Sequence, residues 1–260
     1  MSLVDKTKDS LPAAVKDEFK ALLLGISDTK LLLGYHFGEW TFRTPTLEAG
    51  IATCNFAQDE LGHVRLLHGL LKNYSGENDA TLIHDRPPEN YNAVVSLNID
   101  ISSWIELISL SAVIDSGLTL LLESMSDSSF RPLRERVEKI LQEEKFHSDY
   151  THAWVVSLAA DGNGSADMVG EVFRKAVPAY TSWLSDLTDS VLVEEGILNM
   201  PIKETLAKTF ENVNSLAQHS GLNLPNSKEM EIEESKEYPR YPDEAIIYSL
   251  RGEKNEVFRV

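Results

Sequence analysis

The feature that most constrains this chain is a four-residue pattern, Glu-x-x-His, that occurs on two long segments of helical character. One copy is Glu60 to His63, within Gln58-Asp59-Glu60-Leu61-Gly62-His63; the other is Glu144 to His147, within Gln142-Glu143-Glu144-Lys145-Phe146-His147. A spacing of three residues is close to one helical turn, so each carboxylate lies beside its imidazole on one helix face. One pair is half of a cation site, and two pairs facing each other across a bundle form a place for two metal ions bridged by carboxylates. The bland alternative makes Glu60 and Glu144 solvated helix residues and His63 and His147 packing histidines. A single copy arises readily by chance, and the second copy on a separate helix is what favours metal.

The rest of the chain has the helices such a bundle needs. From Pro12 to Phe42, apolar residues recur at helical spacing (Val15, Phe19, Leu22, Leu23, Ile26, Leu33, Phe37) and predict a first helix. Arg43-Thr44-Pro45-Thr46 interrupts it and starts a second, from about Leu47 to Tyr74, which Gly76 ends. Gly76 to Asn92 contains Arg86-Pro87-Pro88, lacks periodicity and reads as a long crossover loop. A third helix is expected from about Asn92 to Met125 and a fourth from about Arg131 to Ala160. Further helical pattern from Met168 to about Glu195, and from Ile202 to Ser220, predicts a C-terminal layer. The expected fold is therefore all-α: a ferritin-like four-helix bundle with additional C-terminal helices over residues 1–222. Residues 223–260 read as an extended acidic tail or arm, with Ala245 to Leu250 a short strand or a docking arm.

Composition removes several classes of function. The net charge of -17 disfavours a nucleic-acid partner, which would require clustered Lys and Arg. Cys54 is the only cysteine, so neither a disulfide framework nor a thiolate metal site is expected. The first residues do not read as a secretory signal, and the longest apolar stretch, Trp104 to Leu122, is interrupted by Glu106 and Asp115. Both acids would be costly in lipid, so a buried helix of a cytoplasmic protein is expected and no membrane partner.

The two remaining core helices should each add a carboxylate. On the third helix the candidate is Asp115, set in the apolar run Leu110 to Leu118, with Glu123 as the fallback. A lone buried acid is expensive unless a metal or a cation meets it. On the first helix the acids are Asp28 and Glu39, yet it is Lys30 that shares a stripe with Leu23, Ile26, Gly34 and Phe37. His36, His68, His84, His152 and His219 have no motif partner and read as surface or packing histidines. Trp40, Trp104, Trp154 and Trp183 read as core.

At Glu39-Trp40-Thr41-Phe42-Arg43-Thr44-Pro45-Thr46-Leu47 and at Gln58 to His63, the chain resembles the phenylacetyl-coenzyme A epoxidase family, in which a catalytic ferritin-like subunit pairs with a homologous structural subunit. The resemblance runs from about Leu22 to Leu184. Its first two segments look like the catalytic subunit, whereas Gly38-Glu39-Trp40 and Val64-Arg65 look more like the structural one. The resemblance implies metal ligands at Glu60, His63, Asp115, Glu144 and His147, and it implies a sixth, a glutamate, at the position held by Lys30. It implies iron as the cofactor, one or two ions, or none if Lys30 occupies the site. It further implies a monooxygenase acting in phenylacetate catabolism on phenylacetyl-CoA or a similar aromatic acyl-CoA, with electrons from a reductase partner. Arg43 and Arg65 are the candidates for the coenzyme A phosphates, ahead of Arg131 and Arg134. The alternatives are a non-catalytic structural subunit of such a complex, its site altered by Lys30, and a ferritin-like protein that handles iron or peroxide. A homo- or hetero-oligomer with a related ferritin-like subunit is expected.

Overall fold

A computed structural model of the chain describes residues 9–78, 82, 86–224 and 239–252. Four long helices form the bundle: α1 (Lys16–Trp40), α2 (Leu47–Leu70), α3 (Trp104–Glu123) and α4 (Arg131–Ala160). Helices α5 (Ser165–Ser185), α6 (Ser190–Glu194) and α7 (Ile202–His219) form the C-terminal layer, and α8 (Glu244–Leu250) follows. No strand occurs among the described residues, and the fold is the all-helical, ferritin-like bundle that the sequence predicts. His84 and the acidic run Glu229 to Glu237 lie outside the described residues.

Helix starts follow local chemistry. The Thr46 hydroxyl accepts the Ala49 N–H at the head of α2, and Ser103 accepts the Glu106 N–H at the head of α3, each satisfying a donor that the first turn leaves free. At its far end α2 widens into a single turn, Leu71–Ser75, and Gly76 closes it in the left-handed region at φ 81°.

Helix α3 is buried on nearly every side, as an evenly apolar helix must be, and α1, α4, α5 and α7 all pack on it. It is the one described helix long and apolar enough to cross a membrane, but 83% of its apolar window is buried inside the protein. Asp115 sits at its middle.

Two expectations need correction. The third helix begins at Trp104, not near Asn92. Ala93, Val94, Leu97 and Ile101 are buried as periodicity suggests, but polar groups of α1 hold their backbone. The Asp28 carboxylate accepts the Asn92 N–H, Thr29 Oγ1 accepts the Val94 N–H, His36 Nε2 bonds the Leu97 carbonyl and Trp40 Nε1 donates to the Ile101 carbonyl. These bonds replace helical ones, and a short 3-10 turn at Val95–Leu97 is what remains. Second, Ala245 to Leu250 is helical and not a strand. Asp243 caps α8 by accepting the Ala245 N–H, and Ile246 and Ile247 are buried against the bundle.

Candidate metal centre

Each core helix sends polar side chains to one point at the centre of the bundle. Lys30 comes from α1, Glu60 and His63 from α2, Asp115 from α3, and Glu144 and His147 from α4. All six are buried. Glu60, Asp115, Glu144 and His147 present ligand-type atoms within 4.8 Å of one another, the spacing of a metal site.

The Lys30 ammonium lies among the carboxylates. Its Nζ donates to Glu144 Oε1 at 2.6 Å, to Glu60 Oε2 at 3.1 Å and to Asp115 Oδ1 at 3.2 Å. Three N–H donors meet three acids. Thr119 Oγ1 donates to the second Glu144 oxygen at 3.1 Å.

The two histidines are held from outside in a reciprocal exchange between α2 and α4. His63 Nε2 is 2.7 Å from Glu143 Oε2, and His147 Nε2 is 3.3 Å from Asp59 Oδ2. The Nδ1 atoms face inward, His63 Nδ1 to within 3.1 Å of Glu144 and His147 Nδ1 to within 3.4 Å of both Glu60 and Asp115. Neither Nδ1 makes an aligned hydrogen bond, and neither does Asp115 Oδ2. The Phe56 ring packs against the His147 ring at 4.2 Å between centroids, tilted by 52°.

Charge decides the protonation states. Burial is the largest influence and would push the Glu60 and Glu144 carboxyls up, but the Lys30 ammonium together with His63 and His147 outweighs it and holds both down at about 2. Burial would likewise depress the histidines, yet contact with Glu144 and Glu60 raises His63 to about 9, and contact with Asp115 and Glu60 raises His147 to about 11. Burial opposes the Lys30 charge too, and the three carboxylates raise its pKa well above the ordinary lysine value. Near neutral pH the Lys30 ammonium and the two protonated imidazoles therefore offset the buried Glu60 and Glu144 carboxylates from within the protein.

That balance tests the fit of a metal pair. A metal takes carboxylate oxygens at about 2.0–2.2 Å, so an ion sharing the Glu60, Asp115 and Glu144 oxygens would fall on the Lys30 nitrogen. With Lys30 wholly buried, a two-metal centre does not fit this core.

Among the other expected positions, Glu123 is exposed and Asp115 is the inward acid of α3. Asp28 is buried, and its carboxylate is taken up by Arg86 and the Asn92 N–H. Glu39 pairs at 3.9 Å with Arg43. Arg43, Arg65 and Arg131 stay at the surface, Arg131 beside Asp9, and the buried cluster is built without them. His36 and His68 are core histidines, His152 contacts Ser116 and His219 is exposed.

Sequence reasoning missed Asp59 and Glu143, although a signal was present: each motif glutamate is directly preceded by an acid. It also missed the Asp28–Arg86 pair, because nothing in the crossover loop ties Arg86 to α1 in sequence.

Comparison with known proteins agrees with this architecture. The profile of the family described as "Phenylacetic acid catabolic protein" matches residues 1–248. A relative from Escherichia coli (strain K12), one of the subunits of its 1,2-phenylacetyl-CoA epoxidase, is 25% identical over 219 residues, which span 82% of this chain and 86% of the relative.

Proposed function

The chain belongs to the phenylacetic acid catabolic protein family, and from that premise we propose that it is a ferritin-like subunit of a multicomponent epoxidase acting on phenylacetyl-CoA or a similar aromatic acyl-CoA, one that supports a catalytic relative and does not house the oxygen-activating irons itself. The observation that carries this reading is the Lys30 ammonium, bonded to three carboxylates at the point where a bridging cation would sit. An oxygenase centre must take up and exchange ligands at open metal positions. This core has no such position, since each carboxylate is engaged by a fixed internal cation. The same argument weighs against a role in handling iron or peroxide.

In this reading the acyl-CoA and the electron-donating reductase engage the catalytic subunit, in the cytoplasm, and exposed Arg43 and Arg65 are available to contacts within the assembly. What this chain supplies is a rigid bundle of the same architecture as its partner. The Escherichia coli epoxidase component is similar to it over most of its length, which supports assembly with related subunits.

The test is to express the full chain with added iron, alone and together with a catalytic ferritin-like relative, and to measure iron per chain and the size of the purified species. The expected result is iron far below one per chain for this protein alone and a stable hetero-oligomer on co-expression. About two irons bound to this chain alone, as a complete carboxylate-bridged site would hold, would overturn the supporting role.

A further inference from the structure

We propose that the outer face of α2 is a self-pairing seam through which two copies of this chain associate, antiparallel and about a two-fold axis level with Phe56. The seam lies on the side of α2 turned away from the core cluster and does not depend on the role of Lys30.

Spacing, exposure and bare backbone mark this face. Leu47, Ile51, Cys54, Gln58, Leu61 and Arg65 follow one another at intervals of four, three, four, three and four residues, the pattern of a coiled-coil seam. Phe56, Glu60, His63 and Leu67 meanwhile take the core side of the same helix. The stripe is apolar and open: Leu47 is 78% exposed, Ile51 56% and Leu61 41%, and Phe42, just ahead of its start, is 98% exposed. A solvated helix face normally carries charges, and a quarter of this chain's residues are charged, yet the stripe holds Arg65 alone. Gly62 and Gly69 flank it within α2, where glycine weakens a helix relative to alanine. A Cβ added at either would meet nothing within 4 Å, so nothing among the described residues calls for these glycines. Bare backbone at these points lets a second helix come close. On the α4 side, exposed Phe146 packs edge-on against Phe56 and widens the apolar surface.

The order of residues along the seam selects its occupant. In a two-fold pair each residue faces the one equally far beyond the axis on the other copy, so the seam must complement itself. With the axis level with Phe56, Ile51 meets Leu61 of the second copy and Leu61 meets its Ile51. Cys54 meets Gln58, and Leu47 meets the aliphatic stem of Arg65. The Arg65 guanidinium then comes within reach of Glu48 on the second copy, once at each end, so the charges pair as well. The polar Cys54–Gln58 layers fall at the middle, where a polar layer in an apolar seam fixes register. A parallel pair would instead set Arg65 against Arg65 and Glu48 against Glu48. The charge pattern therefore favours the antiparallel arrangement of two identical helices.

The experiment uses the full chain as wild type, Ile51→Lys, Leu61→Lys, Glu48→Arg, the exchange Glu48→Arg with Arg65→Glu, and Gln58→Cys, with circular dichroism confirming that helical content is kept. Sedimentation over a range of concentrations should give wild type twice the mass of one chain. Each lysine variant should raise the dimer dissociation constant by about 100-fold or more, because every substitution enters a two-fold interface twice. Glu48→Arg should weaken the dimer several-fold and the exchange should restore it, which an unspecific apolar contact would not do. Gln58→Cys, set against Cys54 of the second copy, should yield a disulfide-linked dimer under mild oxidation, lost when Ile51→Lys is added. Wild type that sediments as a single chain at every concentration overturns the inference, and so does a dimer that both lysine variants leave intact. A chain that is monomeric alone, and whose assembly with a catalytic relative is lost in Ile51→Lys, overturns self-pairing and assigns the seam to that relative. Iron content, which tests the supporting role, is read separately from all of these, so the two readings fail independently.

Discussion

At the scale of single residues, the cluster makes a specific demand on pH. The His63 and His147 pKa values are raised from 6.5 to about 9 and about 11, so their contribution to stability is complete below about pH 6.5 and is lost as pH rises through those values. Glu60 and Glu144 are lowered from 4.5 to about 2, so their contribution is complete above about pH 4.5 and is lost as pH falls towards 2. Both contributions are complete together between about pH 4.5 and 6.5. Urea unfolding should therefore give its highest midpoint in that window, then decline from pH 6.5 to 9 by about 1.4 kcal/mol per pH unit for each histidine still protonated only in the folded state. The alkaline decline should shrink in a His63→Gln, His147→Gln double variant. A midpoint that stays level from pH 6 to 9 in the wild type would show that the buried imidazoles are neutral and that the charge balance drawn around Lys30 is wrong.

At the scale of helices, close approach is set by small residues on the central element. Gly117 of α3 lies under the buried ring of Tyr180 on α5, and a Cβ added there would meet ring carbons at 2.4–2.9 Å. Gly117→Ala therefore forces α5 outward or the ring off its rotamer, at about 1–3 kcal/mol, readable as a lower midpoint in urea. An unchanged midpoint would mean that the α3–α5 contact is looser than the packing implies. Contacts of this kind also mark how far the sequence could be read. The helices were legible because their apolar residues keep a 3.6-residue period, and the ligand-type residues were legible because Glu60, His63, Glu144 and His147 repeat a spacing that only a helix makes meaningful. Asp115 stood out as an acid in an otherwise apolar run. The start of α3 was not legible, because periodicity reports which residues are buried and not whether their N–H groups bond within a helix or to Asp28 and Thr29. The place of Lys30 was legible only as membership of an apolar stripe. Which acids it meets depends on how α1 docks against α2, α3 and α4, which no local pattern carries.

At the scale of the whole molecule, the last described segment closes a fold whose centre is built without it. Residues 239–252 return to the crossover between α2 and α3: Asn98 Nδ2 donates to the Pro239 carbonyl at 2.9 Å, the Asp243 N–H donates to the Asn98 carbonyl at 2.9 Å, and Arg251 donates to the Arg86 carbonyl. Ile247 packs with Leu31, Val64 and Tyr91 in an apolar cluster separate from the main core. Arg86 is paired with the fully buried Asp28 and lies 3.9 Å over the Tyr91 ring, so Tyr91 joins the cluster under α8 to the ion pair that ties the crossover to α1. Removing residues 239–260 takes away two buried isoleucines, Ile246 and Ile247, each worth about 1.5–3 kcal/mol of burial. For a chain of this size a loss of that order lowers the unfolding temperature by roughly 6–20 °C. No hydrogen bond or ion pair joins the cluster on α1 to α4 to residues 239–252, so the truncated chain should keep its helical content at 25 °C and the pH profile set by His63 and His147. Hydrogen exchange should quicken at residues 86–101, where backbone N–H groups lose their cover, and stay slow through α3. If exchange quickened equally in α3, α8 would be part of one cooperative unit with the buried core, and the division between a self-sufficient bundle and its covering arm would have to be abandoned.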